Sequence, residues 1–219
     1  YALTQVEQVF NEQMNKGLNQ YITDFFNSMR ELSNNPESST SRAMVKEAAT
    51  ALANDFQRVD KQLTNIQKDI DGRVINEVEE VNKMLKEVAT LNQEISAIEI
   101  SGIEANDQRD RRDVVLKHIN EKIDISYAEG DHGAVTISTG GNGILVSGFD
   151  HFELKAKPVG DENLVRVYYQ NESNTEPLDI TSRIKGGTVG GALQVRDQNI
   201  TDFKDKIDQI AYSLSREVN

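Results

Sequence analysis

Residues 56–98 read FQRVDKQLTNIQKDIDGRVINEVEEVNKMLKEVATLNQEISAI. The apolar residues Phe56, Val59, Leu63, Ile66, Ile70, Val74, Val78, Val81, Leu85, Val88, Leu91, Ile95 and Ile98 follow one another in steps of three or four. That spacing lays a single apolar stripe along an α-helix, as in a heptad seam. Three successive fours, from Ile66 to Val78, form a stutter that locally unwinds a supercoil. Gly72 lies inside it and is the natural place for a break, at about 1 kcal/mol relative to alanine. The stripe nevertheless passes through Gly72 in phase, which favours an intact or slightly bent helix. No proline occurs between Ser41 and Ile100. Sixty helical residues extend about 90 Å, against ~45 Å for a compact globule of this chain length. The stretch therefore predicts an elongated molecule.

On the N-terminal side, Leu3, Val6, Phe10, Met14, Leu18, Ile22, Phe25, Met29 and Leu32 repeat the same period and predict one more helix. Ser33-Asn34-Asn35-Pro36-Glu37 ends it, because proline lacks an amide donor and the polar side chains suit caps. On the C-terminal side, Ser101-Gly102 supplies a stop with glycine at the left-handed position. Asn106 or Asp107 then caps a shorter helix to about Glu121, with Asp107–Arg111 and Arg109–Asp113 at pairing distance of four.

At Ile123 the period changes from 3.6 to 2. Ile123/Ile125/Tyr127, Val135/Ile137, Phe152/Leu154/Ala156 and Val165/Val167/Tyr169 alternate with polar residues. Turn clusters separate them at Glu129–Gly133, Thr139–Gly143 and Asn171–Asn174. Five or six short strands follow, as an antiparallel meander or small barrel. Beyond Gly186-Gly187-Thr188-Val189-Gly190-Gly191, read as a flexible strand-to-helix junction, Ile200, Phe203, Ile207, Ile210, Leu214 and Val218 restore a helical seam. The expected fold is thus α+β: an elongated bundle of long antiparallel helices, formed by residues 1–122 and 184–219, with an inserted small antiparallel β domain at 123–183.

Composition excludes more than it selects. The 219 residues carry 24 Lys and Arg against 36 Asp and Glu, a net charge of −12, which disfavours nucleic acid and anionic membranes as partners. Cysteine is absent, so disulfides, thiolate metal sites and thiol nucleophiles are excluded. His118, His132 and His151 are scattered, with no metal-ligand spacing. The glycine cluster lacks the lysine of a phosphate-binding loop. Glu77, Glu79 and Glu80, on an acid-rich helix, read as a solvated face, and the abundant Asn and Gln likewise suit solvated helices. Neither a catalytic constellation nor a cofactor or metal site is expected. The dense charged motif at 107–113 either locks the helix-to-sheet corner or also meets a neighbouring subunit.

Several of these stretches together resemble the family of flagellar hook-associated protein 1 (FlgK), the first hook–filament junction protein. They are Gly17-Leu18, Phe25-Phe26, Leu32 to Pro36 with Arg42, and Leu52-Ala53; then Asn106-Asp107-Gln108-Arg109-Asp110-Arg111-Arg112-Asp113; then Gly187 to Asp197, Ile210-Ala211 and Val218-Asn219. The resemblance nominates Asn106, Asp107, Arg109, Asp110, Arg112, Asp113, Arg196 and Asp197 as a structural or assembly-interface motif. It also implies a secreted structural protein of bacterial motility, exported through the flagellar type III channel without a cleaved signal peptide and located outside the cell. Such a protein self-assembles as a homo-oligomeric ring between hook protein and the second junction protein. Beginning at Tyr1 and ending on an open helical seam, the chain is expected to be a central portion without the terminal assembly helices, and monomeric alone. The rival readings are an extracellular adhesin or ligand-binding sensor module on a helical stalk, and, third, a cell-wall glycan hydrolase. The hydrolase needs a carboxylate pair that the sequence does not nominate.

Overall fold

A computed structural model describes residues 2–10, 17–139, 143–161, 163–170 and 176–218. Expectations at Met14, the Gly140-Gly141-Asn142 turn, Asn171–Asn174, Asn219 and the Val218 side chain lie outside the described residues. The chain divides into two compact units, Tyr1–Lys68 with Val195–Asn219, and Asp69–Gln194.

The central stripe forms one helix, α3 (Ser39–Glu99), after α1 (Ala2–Val9) and α2 (Leu18–Asn34). The Ser38 hydroxyl accepts the Ser41 amide at 3.1 Å and caps the start of α3. The helix continues through Gly72, where an added Cβ would meet nothing within 4 Å. From Val59 to Ile95 every stripe residue is buried. Across the stutter the covered face broadens: Gln67 is buried beside Ile66, and Asp71 beside Ile70. Successive four-residue steps drift around the helix and bring these neighbours into the seam. Glycine at position 102, at φ +82°, follows the end of α3 in the left-handed conformation that the sequence required.

In the first unit the expected single helix over Leu3–Leu32 is not continuous. Gly17 is extended (φ −83°, ψ 169°) immediately before α2, and glycine is a poor helix former, so the chain leaves the helix there at little cost. Val6 and Phe25 are the buried members of that stripe. Tyr21, Asp24, Ser28 and Glu31 of α2 face Met44, Glu47 and Ala51 of α3 across an open groove of about 600 Å³. A π-helical segment at Val195–Ile200 leads into α6 (Thr201–Val218). The Phe203 ring lies 5.5 Å from that of Phe10, and Lys204 reaches Asp60 at 3.2 Å. Ile200 and Ile207 are buried, Phe203 and Leu214 half-buried and Ile210 exposed, so the cover of the α6 seam thins beyond Ile207.

The second unit holds the rest of α3, α4 (Asn106–Lys122), α5 (Gly187–Gln194) and, among the described residues, seven strands where five or six are expected from the sequence. The strands are β1 (Ile125–Glu129), β2 (Val135–Thr139), β3 (Gly143–Ser147), β4 (Asp150–His151), β5 (Leu154–Val159), β6 (Leu164–Tyr169) and β7 (Leu178–Asp179). They form two antiparallel meanders, β1-β2-β3-β4 and β5-β6-β7, rather than a barrel. The break falls at Phe152–Glu153, where the chain leaves one sheet before entering the other. Val135, Ile137, Leu145 and Val146 are buried from the first sheet, and Leu154, Val165, Val167 and Tyr169 from the second. Alternation buries one face of β2 and of the second sheet, whereas the adjacent Leu145 and Val146 of β3 are both buried opposite the register shift between Ile137 and Ser138.

The ends of the β region meet. The Asp124 carboxylate accepts the amides of Lys185 and Gly186, each at 3.1 Å, and its carbonyl accepts the Thr139 hydroxyl at 2.7 Å. Gly187 has φ +70°, and a Cβ there would collide with the backbone of Lys122 and Ile123; only glycine fits this approach. The glycine cluster is therefore no loose junction: from Gly187 onward it is helix, lying against α4.

Candidate functional site

The charged motif lies on α4, with the functional contacts made by only some of its residues. Helix α4 starts one residue after Ala105, and neither Asn106 nor Asp107 caps it. Instead Glu99, at the end of α3, accepts the Ala105 amide at 3.4 Å. Asn106, Asp107, Asp110 and Asp113 are exposed, Arg109 is half-buried, and Arg112 is buried. The i,i+4 pairing expected from the sequence gives way to longer-range partners. Arg109 donates to both oxygens of Glu99, at 2.6 and 2.9 Å, and meets Glu129 of β1 at 2.7 Å. Arg111 turns to Glu87 on α3, at 2.6 Å. A fork-shaped guanidinium satisfies two carboxylates from different elements better than one neighbour on its own helix.

These contacts set the local electrostatics. Hydrogen bonding from Arg109 holds the Glu99 carboxyl below the usual carboxylate range. Glu99, and then Glu129, push Arg109 up. Burial pulls Arg112 down, opposed by the Glu129 charge. Arg112 is 2% exposed and donates to the Gly133 carbonyl and to Asn92 Oδ1, the latter at 3.2 Å. Its Nε has no hydrogen-bond partner among the described residues. Gly133 is required where it stands. At φ +74°, its added Cβ would lie 2.6 Å from Glu99 Oε2, 2.8 Å from Arg109 Nη2 and 2.8 Å from Ile95 Cγ2.

Beneath this cluster sits a residue that the sequence reading assigned to solvent. Asn92 is fully buried. Its Nδ2 donates to the carbonyls of Val135 and Gly148, both at 2.8 Å, and its Oδ1 accepts the Val135 amide at 3.0 Å. One amide side chain thus pairs with the β2 backbone like a strand edge. Asn82, ten residues earlier on α3, repeats the device on the second sheet, donating to the Leu154 carbonyl at 2.8 Å and accepting its amide at 2.9 Å. Ser96 adds a bond to the His132 carbonyl at 3.0 Å. A signal exists in hindsight: Val78, Asn82, Leu85, Ala89, Asn92 and Ser96 are spaced four, three, four, three, four. Amides falling on a stripe are placed to face backbone rather than water.

Two further groups complete the picture. Lys122 bridges Glu77 and Glu80, each at 2.6 Å; these bonds raise Lys122 and, from Lys122, lower Glu80. That acidic run is therefore partly a fastening of α4 to α3, not simply a solvated face. In the other unit Arg196 is buried within the π segment, bidentate to Asp197 at 2.7 and 2.9 Å. Its carbonyl accepts from Gln67 at 3.4 Å. Among the described residues no group of His, Asp and Glu is arranged to hold a metal ion, and no helix is long and apolar enough to cross a membrane. What the corner does chemically is hold: it joins α3, α4 and the first sheet through paired charges and satisfied backbone groups.

The chain is similar to known proteins. The family described as flagellar hook-associated protein FlgK helical domain matches residues 3–219. Over 138 residues the chain is 31% identical to flagellar hook-associated protein 1 of Bacillus subtilis (strain 168), covering 63% of this chain and 27% of that protein. It is 26% identical over 202 residues to the protein of the same name from Salmonella typhimurium, covering 90% and 36%. The structure of the flagellar hook junction protein FlgK from Burkholderia pseudomallei has the same fold, with a TM-score of 0.76 at 20% identity over 90% of this chain and 36% of that one. The chain spans about a third of the length of the curated relatives it matches.

Proposed function

The chain belongs to the family of the flagellar hook-associated protein FlgK helical domain, and from that membership we propose that it is a structural, non-catalytic module of a bacterial hook–filament junction. The family match along residues 3–219 carries the reading. The corner supports it: a module that passes force between neighbours needs its sheet and helices fastened, and Arg109, Arg112, Asn82 and Asn92 do that. In this reading residues 123–183 are an insert in a helical domain made of 1–122 and 184–219. The protein self-assembles outside the cell as a ring of identical subunits, between hook protein and a second junction protein. It leaves the cell through the flagellar export channel without a cleaved signal peptide, and needs no cofactor, nucleic acid or membrane. Arg109, Arg112 and Arg196 with Asp197 hold the subunit, while Asn106, Asp107, Asp110 and Asp113, pointing to solvent, meet neighbours.

Deletion of the gene encoding this chain tests the proposal. The expected result is hooks without filaments and loss of swimming, both restored by the intact gene, with antibody against the chain decorating the hook–filament boundary. Normal filaments in the deletion strain would refute it.

A further inference from the structure

In the second unit several carboxylates are matched within the chain: Glu77 and Glu80 by Lys122, Glu87 by Arg111, Glu99 and Glu129 by Arg109. The α4 carboxylates Asp107, Asp110 and Asp113 form no salt bridge among the described residues, and neither do Lys155 and Lys157 of β5. These two sets lie on different elements.

The lysines belong to a two-faced sheet. Leu154, Val165, Val167 and Tyr169 point inward and are buried. On the opposite face the register sets Lys155 beside Tyr168, Lys157 beside Arg166 and Val159 beside Leu164. Arg166 meets Asp179 at 3.1 Å, which leaves this face with an excess of two positive charges around the 43% exposed Val159. A cationic, partly apolar sheet face on a chain of net charge −12 calls for an acidic surface with an apolar centre. On α4, Asp107, Asp110 and Asp113 lie to one side of Val114, which is 54% exposed. Of the exposed cations beside Val114, Arg111 is engaged by Glu87 and Lys117 offsets one aspartate. That leaves this face an excess of two negative charges to set against the two positive charges of the sheet. The spacings agree. Same-face strand residues repeat at about 6.7 Å, helix positions three apart lie about 5–6 Å from each other, and a flexible lysine stem spans the difference.

We propose that the outward face of β5–β6 docks the Asp107/Asp110/Asp113 face of α4 in a second copy of this chain. Two unlike surfaces make a head-to-tail contact, which closes into a ring where the rotation permits. The inference rests on the reading of the protein as a ring of identical subunits and names the surfaces that meet there. Individually weak pairs suffice because each subunit is held from both sides.

Residues 1–219 hold no cysteine, so disulfide trapping reads these surfaces once any cysteine elsewhere in the encoded protein is replaced by serine. Asp110→Cys and Lys157→Cys are introduced into the gene encoding this chain, singly and together, and isolated flagella are oxidised. The double variant is expected to give a ladder of linked subunits. Each single variant alone stays unlinked, and co-expressed singles bearing different tags give only the mixed dimer. Lys155→Glu lowers the mixed yield about threefold, and Asp113→Lys in the neighbour restores it. Assembled but unlinked double variants would overturn the proposal, as would self-linking of Asp110→Cys alone or capture of a different protein by Lys157→Cys. If the cysteine variants fail to assemble while wild type succeeds, the swap of Asp110→Lys with Lys157→Asp decides: restored swimming supports the contact and continued failure refutes it. Absence of the wild-type protein from the junction would instead strike the functional reading.

Discussion

Replacing Asn92 by alanine removes four hydrogen bonds from a fully buried position and leaves their partners in place. The Val135 amide, the Val135 and Gly148 carbonyls and Arg112 Nη1 each lose one partner. A buried backbone group left unsatisfied costs about 1–3 kcal/mol. Taking the low end for three backbone groups, and some relaxation around Arg112, the expected loss is about 3–5 kcal/mol. That is a large part of the stability of an ordinary domain. Asn82→Ala strips two bonds from a half-buried site that water can reach, so about 1–2 kcal/mol is expected. Gln93→Ala, exposed on the same helix, stays within about 0.5 kcal/mol. Asn92→Asp separates charge from geometry. It brings a carboxylate to Arg112 but sets lone pairs against two carbonyls, so it too destabilises. Urea unfolding of the 219-residue chain, followed by circular dichroism, measures the series, and amide exchange at Val135 reports the site directly. Equal midpoints for Asn92→Ala and Gln93→Ala, or stabilisation by Asn92→Asp, would refute the reasoning.

Two glycines respond oppositely to alanine: Gly72→Ala gains about 0.5–1 kcal/mol in an unobstructed helix interior, whereas Gly133→Ala loses about 2–5 kcal/mol by forcing a Cβ at positive φ into Glu99, Arg109 and Ile95; thermal unfolding compares them. Arg112→Met loses about 1–3 kcal/mol by orphaning the Gly133 carbonyl, while Arg111→Met, at an exposed pair, changes the unfolding midpoint little. Because Glu99 is held below its ordinary value of 4.5, its contribution is fully present above that pH and lost as pH falls through the lower folded value. Glu99→Gln should therefore flatten the decline in urea midpoint on the acid side of pH 4.5, and an unchanged slope would show that the Arg109 bond does not stabilise the fold.

Periodicity made the backbone legible. The α3 stripe works as a ruler because an apolar residue every three or four positions has only one way to leave water, and Val59 through Ile95 are buried as that requires. The switch to alternation at Ile123 marked the sheets for the same reason. Periodicity did not say that the strands split into two sheets, since the inward faces of a barrel and of two meanders alternate alike. It also passed over the helix interruption at Gly17, where a glycine with extended backbone leaves the apolar phase undisturbed.

The charged site was legible in part. The cluster at 107–113 stood out by density, and Arg109 and Arg112 do close the corner. Their partners were not visible, because Glu99 is ten residues from Arg109, and Glu129 and Gly133 are each about twenty from the arginine they hold. Local spacing favoured Asp113 and Asp107, which remain in water. Asn82 and Asn92 were read with the other amides of a solvated helix, although they are the residues that pair with the sheets.

The sequence by itself determined the long helical stripes, the change to strands at Ile123 and which face of each is apolar, because hydrophobic burial and backbone preference act over a few residues. It did not determine the interruption at Gly17 or the helix that begins at Gly187. Tertiary structure alone decided which polar groups are structural. A hydrogen bond is directional and short, so whether an asparagine on a stripe faces water or the unpaired backbone of a strand depends on chain that returns forty residues later.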